Sequence, residues 1–175
     1  MAQTTTTGAS DFQPIWAELN RCKAIVFIYP THPVDTNLIH NSLTQPMFDS
    51  LHDTGWMATE FIVNDTYRTY LDYKIILLQT GGTLPFLIYP PAGPLPHLPM
   101  SIGKSTEDIV EEARRFHFAT ALSSNLISLR TLLTLAKPGH LLFGADFLNT
   151  LTLSLEHFTK NPAGFDIRRH TMQEH

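Results

Sequence analysis

Short continuous apolar runs alternate along the chain with longer stretches of helical spacing. Apolar runs rich in β-branched residues are typical of strands that are buried on both faces of a parallel sheet. Four such runs predict strands: residues 24–29, 74–79, 116–121 and 140–146. The stretches around them predict helices: residues 12–21, 46–63, 105–115, 125–136 and 149–158. Because strand and helix alternate, the pattern predicts an α/β fold of four parallel β-α units.

Local start and stop signals support these boundaries. The run from Ser105 to Asp108 is typical of a capping box at a helix start, and Lys137-Pro138-Gly139 is a stop signal. Between residues 85 and 99 the chain carries six prolines. Since proline lacks an amide hydrogen, this segment cannot be one regular helix. We expect it to form an irregular loop over one mouth of the sheet.

Composition narrows the class of protein. Hydrophobic residues make up 43% of the 175 residues, charged residues 16%, and the net charge is −4. The few, scattered basic residues argue against a nucleic acid partner. The lone Cys22 excludes an intramolecular disulfide and is expected to pack in the core. With no signal peptide or membrane span, we expect a soluble, cytoplasmic protein with no membrane partner. Its predicted parts are a disordered tail (1–10), one domain (11–165) and a polar tail (166–175).

The ends of the predicted strands carry polar residues. In parallel α/β folds, chemistry gathers at the carboxyl ends of the strands, where this chain has Tyr29, Gln79, Thr120 and Asp146. Side-chain alternation places Tyr29, Gln79 and Asp146 each on one face of its strand, and inward-pointing faces would bring them to one mouth. Asp146 is open to a second interpretation, because Asp is also a common helix N-cap. The turn Gly81-Gly82-Thr83 fits either an anion held by its amides or a tight turn.

Three motifs together resemble the amidohydrolase-related ("amidohydrolase 2") family of decarboxylases. Residues 26–33 look like that family's fifth-strand motif, residues 78–86 like its glycine-rich sixth-strand motif, and residues 142–147 like its eighth-strand motif. Their order and spacing agree over residues 12–160. The resemblance implies that the four β-α units correspond to strands 5–8 of a TIM-type (β/α)₈ barrel, which makes the chain a half-barrel.

The same resemblance implies that most metal ligands are replaced. Family members hold a divalent metal with an H-x-H pair on the first strand, a fifth-strand His and the eighth-strand Asp. Here the first strands have no counterpart, Tyr29 and Gln79 occupy the fifth- and sixth-strand His positions, and Asp146 alone is kept. Trp56 stands where decarboxylases carry an Arg, and Ala119 where they carry an Asp. One carboxylate cannot hold Zn²⁺, so we predict no metal site and no cofactor.

Two functions remain open at this point. The first is a metal-independent lyase, isomerase or cyclase that uses Asp146, Tyr29 and His32 for acid/base catalysis on a small apolar aromatic or polyketide-like substrate. The residues predicted to bind the substrate are Gln79, His52, Trp56 and Phe86. The alternative is a non-catalytic pseudoenzyme that serves as a binding or interaction protein. A metal lyase assembled with a partner half is a third, more distant interpretation.

A half-barrel also predicts a partner. Four parallel strands leave two unpaired edges and an open apolar face, which must be covered to avoid aggregation. We expect a homodimer, with a second polypeptide that supplies the other half, or a truncated chain, as the alternatives. Among the histidines, His117 shares a face with Ala119 and is expected to point inward, whereas His140 lies in a loop and is expected to be solvated.

Overall fold

The computed structural model describes residues 12–30, 40, 42–43, 47–98, 102–146 and 152–160. Within these, four strands alternate with helices. The strands are β1 (Ile25–Ile28), β2 (Lys74–Leu77), β3 (His117–Ala119) and β4 (Leu141–Leu142). The helices are α1 (Gln13–Arg21), α2 (Asp49–Val63), α3 (Thr66–Thr69), α4 (Leu84–Leu87), α5 (Tyr89–Ala92), α6 (Thr106–Ala113), α7 (Leu126–Leu135) and α8 (Thr152–Lys160). Two 3₁₀ turns lie at Gln79–Gly81 and Leu95–His97.

The sheet has the predicted topology. Its strands lie in the order β1-β2-β3-β4 and all pair in parallel. Each crossover from one strand to the next carries at least one helix, as parallel pairing requires. The ladder is shorter than the apolar runs, since β4 keeps only two paired residues. The fold class predicted from the sequence, four parallel β-α units, is confirmed.

One face of the sheet is covered by helices. Ile75, Leu77 and Phe118 point to this side and are completely buried, in one core cluster with Phe61 and Ile62 of α2. Three other aromatic side chains, Trp16, Tyr67 and Tyr73, pack into the same cluster. Burial of each large apolar side chain stabilises the fold by roughly 1.5–3 kcal/mol. Most of the buried apolar residues belong to the cluster on this helix-covered face.

Helix ends follow the sequence signals. Ser105 caps α6 in a capping box with Asp108, whose carboxylate accepts from the Ser105 amide at 3.0 Å. Asn125 caps α7 by accepting from the amides of Ile127 and Ser128, both at 3.0 Å. The proline-rich segment is more ordered than expected. It forms α4, α5 and a 3₁₀ turn, because proline is tolerated in the first turn of each short helix.

Two polar residues lie where the sequence did not indicate. Cys22 was expected in the core but is exposed as the C-cap residue of α1, after the last helical turn. Lys104 is the opposite case, with its side chain fully enclosed. Its ammonium group lies 2.8 Å from both Asp65 and Glu112 and donates to the Ile62 carbonyl. This ion cluster joins the end of α2 to α6.

The other face of the sheet, here called the inner face, is open. Ile25, Phe27 and Tyr29 alternate onto it from β1 and are 70%, 50% and 45% exposed. Nearer its centre, Leu78 and Ala119 form a small buried cluster. An open apolar inner face is what half of a closed barrel presents. None of the helices in the described ranges is long and apolar enough to cross a membrane.

Candidate functional site at the carboxyl edge of the sheet

Tyr29 and Asp146 lie within electrostatic reach of each other although they follow the two edge strands. Tyr29 comes directly after β1, and Asp146 lies four residues after β4. Burial raises the pKa of the Tyr29 phenol, and the negative charge of Asp146 raises it further. The second effect requires that the curled sheet bring the carboxylate within electrostatic reach of the phenol. The structure therefore places the Tyr29 phenol in the electrostatic field of Asp146.

The backbone at Asp146 has left the strand. Its φ of 53° lies in the left-handed region, which non-glycine residues adopt infrequently and often at functional sites. The side chain is half-buried. Whether Asp146 also caps the following helix concerns residues 147–151, which lie outside the described part of the chain. His32, the third predicted catalytic residue, lies outside it as well.

Thr120 fastens the strand that carries Asp146. Its hydroxyl accepts from the Gly144 amide at 3.2 Å and lies 3.5 Å from the Gly144 carbonyl. Side chain–backbone bonds of this kind hold the carboxyl end of β4 against β3 after the ladder has ended. Sequence reasoning placed Thr120 at a strand end but gave it no role, because the bond depends on a residue 24 positions away.

Gln79 lies buried in a turn that follows β2. Alternation put Gln79 on the face of Ile75 and Leu77, and that face was expected to be inward; in the structure both residues point to the helices. The inward direction considered for this face is therefore not observed, and alternation does not extend to Gln79 itself, because β2 ends at Leu77 and the chain then turns. Gln79 and Thr80 both have left-handed φ values, 53° and 55°. The Gln79 side chain is nearly completely buried, at 2% exposure.

The glycine turn is a packing device. The Gly81 and Gly82 amides donate to Leu78 and Gln79 carbonyls at 2.9 Å, and the Thr83 amide donates to the Leu51 carbonyl at 3.0 Å. All three amides are therefore used within the fold and are not available to an anion. A Cβ on Gly82 would lie 2.1 Å from the Leu51 carbonyl oxygen, so only glycine lets the turn approach α2. The tight-turn interpretation is the correct one.

The remaining predicted substrate-binding residues lie on the helices. His52 and Trp56 lie on α2 and line a groove along that helix, with Thr83 and Leu87 on its other side. Among the described residues, the groove's lining includes neither Tyr29 nor Asp146. Phe86 lies on α4 and is 48% exposed. Their proposed contact with substrate stays a prediction.

The histidines on the inner face form a pair. His117 points inward as predicted, and its ring stacks on that of His140 with centroids 4.1 Å apart and an interplanar angle of 9°. His140 was expected to be solvated; instead its Nδ1 lies 3.0 Å from the Phe116 carbonyl oxygen. The expectation failed because parallel pairing sets the residue before β4 beside the first residue of β3. Burial, then His140, then Lys74 lower the pKa of His117.

A metal ion does not fit the residues that are described at this mouth. Zinc sites need three or four ligands of the His, Cys and carboxylate type. The described part of the chain contains no group of three such side chains placed to hold a metal. The other two residues predicted for this mouth, Tyr29 and Gln79, carry a phenol and an amide.

Comparison with known proteins gives the class of this fold. No protein-family model matches the chain. An amidohydrolase II protein superposes on 94% of this chain and 53% of its own, with a TM-score of 0.78 at 21% identity. A dihydroxybenzoic acid decarboxylase from Polaromonas superposes on 97% of this chain and 53% of its own, with a TM-score of 0.78 at 16% identity. At identities this low, the superpositions show a shared fold and nothing further. The chain thus has the fold of about half of each of these proteins, consistent with one half of a TIM-type barrel.

Sequence relatives are more specific. The chain is 46% identical over 167 residues to a 6-methylsalicylic acid decarboxylase of Penicillium expansum, covering 95% of this chain and 52% of the relative. It is also 46% identical over 156 residues to the 6-methylsalicylic acid decarboxylase acuB of Aspergillus aculeatus, covering 87% of this chain and 47% of that one. The chain thus spans about half the length of the curated relatives it matches. Its relatives are 6-methylsalicylic acid decarboxylase-like, and the resemblance seen in its motifs is confirmed, consistent with a C-terminal half.

Proposed function

We propose that the chain carries a metal-independent lyase site for a small aromatic carboxylic acid of the hydroxybenzoate type. The observation that carries the proposal is electrostatic: Tyr29 and Asp146 follow the carboxyl ends of β1 and β4, and burial together with the Asp146 charge raises the pKa of Tyr29. Its relatives' names, decarboxylases of 6-methylsalicylic acid, supply the substrate class. We propose chemistry without a metal because Tyr29 and Gln79 stand at the positions where the family carries its fifth- and sixth-strand histidines.

The two side chains have complementary tasks in this proposal. Asp146, as a carboxylate, accepts the proton of the substrate's phenolic hydroxyl, which places negative charge on the ring. The same proton then passes to the ring carbon that bears the carboxyl group. The bond from that carbon to the carboxyl group breaks, carbon dioxide leaves, and the bonding electron pair stays in the ring. The product phenolate takes a proton from water.

Tyr29 positions the substrate in this scheme. Because its pKa is raised, the phenol keeps its proton at neutral pH and donates a hydrogen bond to the substrate's carboxylate or phenolate oxygen. Gln79, buried beside the mouth, adds an amide that orients a carbonyl or phenol. His32, by sequence position, is the further acid/base candidate.

The open inner face extends the proposal to a homodimer. Tyr29 is 45% exposed, so the site excludes water only when another surface covers it. In contact with water, charged groups stabilise a transition state less strongly. A two-fold partner would cover the apolar row of Ile25 and Phe27 as well. Light scattering should give twice the 19.7 kDa mass of one chain. A monomer at all concentrations would contradict this part of the proposal.

Turnover of 6-methylsalicylate and 2,6-dihydroxybenzoate tests the site. Product formation is followed by chromatography, with and without a strong chelator. Asp146→Asn should lower the rate by about 100-fold or more, as loss of a general base does, and Tyr29→Phe by about tenfold, as loss of one hydrogen bond does. The controls Asp72→Asn and Tyr89→Phe, both at exposed positions, should leave it unchanged.

The outcomes separate the competing functions. Loss of activity with the chelator and its return with zinc would contradict the proposal that the reaction is metal-independent. Saturable binding of either acid without turnover would favour the second candidate, a non-catalytic binding protein, which the exposure of Tyr29 supports. Neither binding nor turnover of these acids by a folded dimer would overturn the proposal.

A further inference from the structure

We propose that the groove along α2 is a second binding site, one that takes a small organic cation with a flat apolar body. This α2 groove lies on the helix side of the molecule and is lined mainly by α2 and the α4–α5 segment. Its volume is about 450 Å³, within the range of roughly 300–1,000 Å³ typical of small-molecule sites. The inference is independent of the activity proposed for Tyr29 and Asp146.

Apolar side chains form most of the groove wall. Trp56, Val63, Leu87 and Pro91 contribute its apolar surface. Trp56 is 73% exposed and Leu87 51%. A tryptophan left so open on a helix that also contributes Phe61 and Ile62 to the core is an exposed apolar surface of the kind that marks binding sites. Its ring offers a face for a flat or cationic ligand.

Glu60 gives the groove its charge. Its Oε1 accepts weakly from Asn64 Nδ2, at 3.5 Å. Its Oε2 is enclosed and has no hydrogen-bond partner among the described residues, nor does Glu60 form an ion pair with any of them. A carboxylate oxygen shielded from water is costly until a donor reaches it. Because the Glu60 side chain lines the groove and as a whole remains part-exposed, a ligand in the groove can reach its carboxylate.

The sign of the ligand follows from the same residues. A carboxylate in an apolar wall repels an anion and favours an ammonium group, which pairs with it through a charge-assisted hydrogen bond. Trp56, one helical turn before Glu60, lies at the spacing that places two side chains on the same side of a helix. A ligand amine can therefore lie between the carboxylate and the indole, with its apolar body against Leu87 and Pro91.

The α2 groove is tested with 2-phenylethylammonium as the probe. Binding is followed by isothermal titration calorimetry and by quenching of Trp56, since the other tryptophan, Trp16, is only 5% exposed. The uncharged 2-phenylethanol and the anionic 3-phenylpropanoate have similar bodies and serve as charge controls. Glu60→Gln removes the charge while keeping the shape. Its matched control is Glu107→Gln, at an exposed position of α6.

The expected result is saturable binding of the cation, with both charge controls at least about tenfold weaker, the size of one charge-assisted bond. Glu60→Gln should weaken the cation by a similar factor and Glu107→Gln should not. Asp146→Asn should also leave the binding unchanged, which separates this site from the one at the sheet edge. Equal binding of the three probes, equal binding to Glu60→Gln, or no binding of the cation by the folded protein would overturn the inference.

Discussion

The two faces of the sheet carry similar apolar side chains but bury them to opposite extents. On the helix-covered face, Ile75 and Phe118 are fully enclosed, whereas on the inner face Ile25 and Phe27 are 70% and 50% exposed. The first face is finished by the chain's own helices. The second is left partly uncovered by the residues that the structure describes. The difference indicates that stability resides on the helix side, whereas the inner face carries the candidate site and the surface open to a partner.

Among the tests of this contrast, Phe118→Ala is expected to have the largest effect on stability. Phe118 is fully buried and its ring lies where a Cβ on Gly81 would come within 2.8 Å. Removal of the ring should lower the unfolding free energy by about 3–5 kcal/mol, measured by urea denaturation. The matched inner-face variant, Phe27→Ala, should cost less than about 1 kcal/mol at concentrations where the chain is monomeric. Equal costs would show that the inner face is covered within one chain.

Lys104→Met tests the buried ion cluster on the helix side. Loss of the ammonium group leaves the Glu112 carboxylate, only 9% exposed, without its cation. Truncation of one partner of a buried ion pair costs about 3–5 kcal/mol, and we expect the lower end because Asp65 is half exposed. The control is Lys137→Met, whose surface pair with Glu111 should contribute below about 1 kcal/mol. If both variants unfold at the same urea concentration, the cluster does not stabilise the helix side.

Ser105→Ala sharpens the comparison at one helix end. The Ser105 hydroxyl accepts from the Asp108 amide at 3.1 Å, and its loss leaves that donor without its cap. The unfolding free energy should fall by about 1 kcal/mol, seen as a lower thermal midpoint. Ser105→Asp, which can also cap, should restore most of the loss; if it does not, the capping box is not the source of the effect.

The smallest effect is expected on the inner face, as a pH dependence. The pKa of His117 is lowered in the folded chain by burial, by His140 and by Lys74, so the unfolded chain binds the proton more readily. Stability should therefore be complete above the unfolded pKa of about 6.5 and fall as the pH drops below it. His117→Gln should flatten the fall between pH 7 and pH 5, whereas the exposed control His97→Gln should not. An unchanged slope in His117→Gln would remove the histidine pair as its cause.

Local features were well predicted. The apolar runs, the capping box at Ser105 and the stop after Lys137 depend on interactions within a few residues, so the sequence shows them directly. The motifs around Tyr29, Gln79 and Asp146 indicated the family's fold for the same reason. By contrast, the direction of Gln79 could not be predicted by alternation, because a left-handed turn follows β2 and alternation holds only within a strand.

By itself, the sequence determined the four β-α units, their parallel order and the presence of a phenol and a carboxylate at strand ends. Only the tertiary structure decided that Asp146 acts electrostatically on Tyr29, that His117 stacks on His140, and that Trp56 lines a groove along α2. Cys22 shows the same division, since its apolar character predicted burial and its position on α1 left it exposed. Patterns along a chain report local conformation and burial tendency. Contacts between residues far apart in sequence depend on how the elements pack.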